Sequence, residues 1–131
     1  MNVTNEEEIK CIVILSSSEN ENWDKARYLE DKQLNYINKY AKKHNLVPMK
    51  IVRRGCFGFM EMNKILGRVI GTLDTGLADA VLVANALSIS SNVPDAYLKV
   101  GKVVSSGHRF ITVDEGELIL NIYNPDSGEV V

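Results

Sequence analysis

The sequence predicts an α/β fold, a three-layer sandwich with a mostly parallel four-stranded sheet in the order 2-1-3-4 and a C-terminal β-hairpin. Three observations predict it. Ile9–Leu15 and residues 80–84 are almost continuously apolar, as strands covered on both faces are. Met62, Ile65, Leu66, Val69, Ile70 and Leu73 fall at helical spacing and make one apolar stripe. Strand-like and helix-like segments alternate, so each crossover lays its stripe on a shared sheet.

Taken in order, Ile9–Leu15 is the first strand. Leu34, Ile37, Tyr40 and Ala41 then recur at helical spacing in a segment that opens near Asn22 and closes at His44-Asn45, where asparagine suits a helix end. Residues 46–52 form the second strand. The helix carrying the Met62 to Leu73 stripe contains Gly67 and Gly71, each costing about 1 kcal/mol relative to alanine. Their spacing fits either close approach to the sheet or simple tolerance. Residues 80–84 are the third strand, and Asn92 followed by Pro94 starts another helix with Val100, Val103 and Val104 on its buried side. Gly107 ends that helix and residues 109–113 form the fourth strand. Residues 118–123 and 129–131 flank Asn124-Pro125-Asp126-Ser127-Gly128, a turn sequence that makes them a hairpin.

The 131 residues suit one domain over residues 1–131, and 45% apolar with 24% charged residues is ordinary for a globular protein. With 15 basic and 17 acidic residues, the net charge of −2 leaves no electrostatic footprint for holding a phosphate backbone. No apolar run approaches the roughly 20 residues of a membrane span, and no signal-like segment opens the sequence. The expected location is cytoplasmic, with no membrane partner. Cys11 falls in a strand and Cys56 in a Gly-rich loop, without metal-ligand spacing, so neither a metal nor a cofactor is expected.

Several stretches share one further pattern: Leu29-Glu30-Asp31-Lys32-Gln33-Leu34 followed by Tyr40-Ala41-Lys42-Lys43, then Leu77-Ala78-Asp79-Ala80-Val81-Leu82-Val83, then residues 107–112. In order and spacing they resemble the catalytic domain of the serine recombinases, the resolvase/invertase family, over about residues 9–115; residues 116–131 diverge. The resemblance places Ser16 at the family's nucleophile position. In that family the first strand reads aromatic-x-Arg-x-Ser, and here Ile14 stands in place of the arginine. The family's Leu-Asp-Arg-Leu-Ser-Arg, whose arginines hold the scissile phosphate, is matched by Ala84-Asn85-Ala86-Leu87-Ser88-Ile89, so Ala86 and Ile89 replace both. The arginine that the family carries near the start of its second helix has no counterpart either. Arg53 and Arg54 lie in a suitable loop and are read as solvated or paired with surface carboxylates.

These replacements bear directly on the chemistry. A serine attacking a phosphodiester without metal needs fixed cations on the nonbridging oxygens, and one arginine at such a site is worth roughly 10³ to 10⁵ in rate. The resemblance therefore implies a resolvase-like domain that is catalytically inactive and acts through a protein partner or self-association, modulating a full-length recombinase and reaching DNA only through that partner. An active recombinase in DNA strand exchange would need Arg53, Arg54 or Arg68 to turn inward. A separate reading is a small-anion or nucleotide-binding domain. Ser16 and Ser17 follow the first strand and Ser88, Ser90 and Ser91 the third, and open parallel sheets collect ligands outside the strand ends where the order reverses.

Overall fold

The computed structural model describes residues 7–119 in full and the backbone of residues 123–124 and 129–130. Its sheet is built from β1 (Ile9–Leu15), β2 (Leu46–Arg53), β3 (Ala80–Val83), β4 (Arg109–Thr112) and β5 (Gly116–Leu118) in the order β2-β1-β3-β4-β5. The first four are parallel in the expected order. Alternation of side chains across β1 splits the core in two. Cys11, Val13 and Leu15 pack against Ile37 and Ala41 of α1 (Trp23–Lys43). Ile12 and Ile14 pack on the other face with Met62, Leu66 and Leu73 of α2 (Phe59–Asp74) and with Val100 and Val103 of α3 (Val93–Ser105).

Local chemistry sets the helix ends close to where the sequence puts them. The Asn22 side chain accepts from Lys25 N and the Asn92 side chain from Asp95 N, each capping a helix, and Pro94 sits in the first turn of α3. Asn45, at φ 59°, takes the left-handed conformation just beyond α1. Gly67 and Gly71 are exposed, and a Cβ on either would meet nothing within 4 Å, so they are tolerated small residues and not a close approach to the sheet.

The structure adds two elements. Ala86–Ile89 forms a short 3-10 turn directly after β3. Asp114 and Glu115 turn the chain back at Gly116, φ 76°, so that β5 pairs antiparallel with β4 as a fifth strand. A Gly-Glu-Leu strand is too short to show periodicity. Beyond it, β6 (Tyr123–Asn124) and β7 (Glu129–Val130) pair antiparallel, in keeping with the expected hairpin. Its turn, residues 125–128, lies outside the described residues, as do residues 120–122 and Val131.

Candidate functional site

Ser16 and Arg54 come together at the carboxyl ends of β1 and β2. A bulge decides which arginine does so. Cys11 pairs with Pro48 but Ile12 pairs with Lys50, so Met49 is an extra residue in β2, next to a proline that has no N–H to give the ladder. Without it Ser16 would stand beside Arg53. With it Leu15 pairs with Arg53, Arg54 N donates to Leu15 O at 3.0 Å, and the Arg54 side chain turns into the protein. A one-residue slip in a strand reverses every side chain, and this slip buries a guanidinium.

Arg54 is 1% exposed. Its Nε donates to Ser16 Oγ at 2.8 Å, and its two terminal nitrogens donate to the carbonyls of Phe57 and Ser17. The guanidinium also lies over the Phe59 ring, 4.5 Å from its centroid. Burial draws Arg54 below its ordinary pKa, and the charges of Glu30 and Cys56 oppose that. Ser16 is equally enclosed, at 1% exposure, and Gln33 of α1 closes the other side by accepting from Ser16 N at 2.8 Å and donating to Ser16 O at 2.9 Å. Buried Glu30 holds the loop, accepting from Gly55 N at 2.8 Å and pairing with Arg53 at 3.5 Å. Arg53 itself reaches Asp31 at 2.7 Å, as a surface ion pair.

No family model matches this sequence, and no curated protein is found similar to it. Solved structures do match. The crystal structure of the N-terminal catalytic domain of TP901-1 integrase superposes with a TM-score of 0.67 at 21% identity, over 82% of this chain and 79% of that one. A resolvase family site-specific recombinase from Streptococcus pneumoniae does so with a TM-score of 0.67 at 16% identity, over 83% of this chain and 74% of that one. The chain has the resolvase fold.

The three positions that the sequence resemblance sets against the family's arginines share one environment. Ile14, Ala86 and Ile89 are all buried in the same apolar cluster, against Met62, Leu66 and Val100. The reading of Arg53 as a surface partner agrees with its ion pairs, whereas Arg54, buried and bonded to the chain, corrects the expectation that both arginines are solvated or paired with surface carboxylates. Arg68 stays on the surface and pairs with Glu61 at 3.5 Å. Among the remaining serines, Ser17 Oγ accepts from Glu19 N at 3.2 Å. Ser88 Oγ donates to Asn85 O at 2.7 Å, and buried Ser90 Oγ to Ala86 O at 2.9 Å. Ser91 Oγ accepts from the Asn92 side chain at 3.4 Å. Across the same strand ends Tyr36 of α1 donates to Asp114, whose other oxygen accepts from Asn85 at 2.9 Å.

Arg54, Glu30 and Gln33 are the site residues that sequence reasoning missed as a group. Gln33 was visible as part of the family-like Gln-Leu pair. The signal for Arg54 was its place one residue past β2, level with Ser16 one residue past β1, and only the bulge made that level exact enough for contact.

Proposed function

We propose that this chain is a catalytically silent resolvase-fold domain that acts by associating with a protein partner or with itself, and that through such a partner it modulates a full-length recombinase. The observation that carries the reading is the apolar packing of Ile14, Ala86 and Ile89, which leaves hydrocarbon where phosphate-holding cations would be required. Arg54 does not make up the loss. A nonbridging oxygen needs a donor aimed at it, and three of the five Arg54 N–H groups already donate to the chain while the guanidinium is 1% exposed, so the other two are closed off from a phosphate. The Ser16 hydroxyl is buried besides, so a phosphodiester cannot approach it without the Arg53 to Gly58 loop opening. The local bonding of the serine hydroxyls favours association over anion capture at the strand ends.

One observation favours the competing reading of an active recombinase: Arg54 does turn inward and touches the hydroxyl that would attack. Incubation of the protein with supercoiled plasmid carrying the recombination sites of its source genome separates the two. The silent domain leaves the plasmid intact and forms no covalent protein–DNA species. Nicking or strand exchange that disappears in Ser16→Ala would establish the active reading and overturn ours.

A further inference from the structure

Beside the buried Arg54, on the outer side of the loop, lies a cleft of about 320 Å³. Its wall is aromatic. Trp23 and Phe57 meet edge to face with centroids 5.1 Å apart, and both remain more than half exposed, at 56% and 53%. The indole is fixed from behind. Gly55 has φ 65°, and a Cβ there would collide with Cζ3 of Trp23, so the edge of the benzo ring packs close on bare backbone while the side chain as a whole stays more than half exposed.

The charged groups around this ring divide into spent and free. Glu30 is taken up by Gly55 and Arg53, Arg53 by Glu30 and Asp31, and Arg54 by the chain. Arg27 and Asp24 also line the cleft, and neither has an ionic or hydrogen-bond partner among the described residues. Arg27 stands four residues after Trp23 on α1 and therefore shares its face.

We propose that this cleft binds a mononucleotide: the base stacks on the outer face of Trp23 against Phe57, Asp24 accepts from an exocyclic amine, and Arg27 pairs with the phosphate. An exposed rigid aromatic, a free carboxylate acceptor and a free guanidinium are the groups that a base and a phosphate need. The volume matches the lower range of small-molecule sites. The net charge of −2 favours a single nucleotide over a strand, because a strand needs several cations along its backbone. This site adjoins the Ser16 end of β1 through Arg54, but its ligand groups, Trp23, Asp24, Arg27 and Phe57, do not include Ser16, so it does not depend on whether Ser16 is active.

Trp23 is the single tryptophan of the chain, so its fluorescence reads the site directly. Titration of the intact protein with AMP should quench it saturably, with adenosine binding about tenfold more weakly and inorganic phosphate giving no quench. Arg27→Ala should weaken AMP about tenfold and leave adenosine unchanged. Arg27 is exposed and has no partner among the described residues, so circular dichroism should show that variant folded as the parent. Absence of saturable quenching at millimolar AMP, or an Arg27→Ala protein that binds AMP like the parent, would overturn the site. Binding of single-stranded oligonucleotide more tightly than AMP would overturn the mononucleotide as its ligand.

Discussion

Three side chains decide what the Ser16 neighbourhood can do, and each is apolar. Ile14 is fully buried between β2 and β3, in the cluster shared with Met62 and Leu66, so a charge placed there would enter hydrocarbon with no carboxylate to meet it. Ile14→Arg, which restores the family's residue, is accordingly expected to lower stability by about 3 kcal/mol or more, read as a shift in urea midpoint, and to restore no cleavage. A variant as stable as the parent would show that the strand accommodates the arginine and would weaken the argument for silence. The apolar residues at positions 14, 86 and 89 are legible in the sequence, where each departs from a motif of fixed spacing in the family that the chain resembles. Arg54 is not, because its direction depends on one extra residue in β2. Nothing about Met49 in isolation announces a bulge, although Pro48 beside it is the kind of residue that tolerates one.

Among the elements, α3 carries an ion pair of unequal exposure. Lys99 is nearly buried, its side chain 3% exposed, and it donates to Asp95, whose side chain is 26% exposed. The Lys99 hydrogen bond holds the Asp95 carboxyl below its ordinary pKa, with the Ser91 amide helping against partial burial. The folded value is depressed, so the pair stabilises the protein fully above the ordinary aspartate range and loses that contribution as the pH falls through the lowered folded value. Removing the charge strands a buried ammonium, which costs more than a surface pair and less than a fully enclosed one. Asp95→Asn should therefore lose about 2 kcal/mol near neutral pH, with the gap to the parent closing in acid, below the ordinary aspartate range. Denaturant melts at several pH values would measure it, and a gap independent of pH would assign the effect to the capping turn instead. The helices and the parallel strands were legible because each has a long apolar pattern. β5 and the 3-10 turn were hidden, since three or four residues carry no period and their place is set by partners distant in sequence.

At the scale of the whole molecule, four of the exposed apolar residues gather around one cleft. Leu87, Val93 and Tyr97 are 51%, 55% and 66% exposed, and with Ile119 at 75% they border a cleft of about 260 Å³ between the start of α3 and the end of β5. The one carboxylate lining it, Glu115, is turned to the Ala86 amide at 2.9 Å, so the floor stays apolar. A monomer gains nothing by showing this much hydrocarbon in one place, whereas an interface would bury it. Association that uses this face needs roughly 1,000 Å² of total buried area to be specific, more than the cleft alone supplies, so it would draw in neighbouring surface, of which Tyr97 is one of the most exposed side chains. Light scattering across a concentration series should then show the parent forming a dimer, or co-purifying with a resolvase-fold partner, and Tyr97→Glu should lose that association without loss of helicity, because its side chain stands in solvent and outside both cores. A parent that stays monomeric at every concentration and captures no such protein would remove the basis for association, and an unchanged Tyr97→Glu would move the interface to another face.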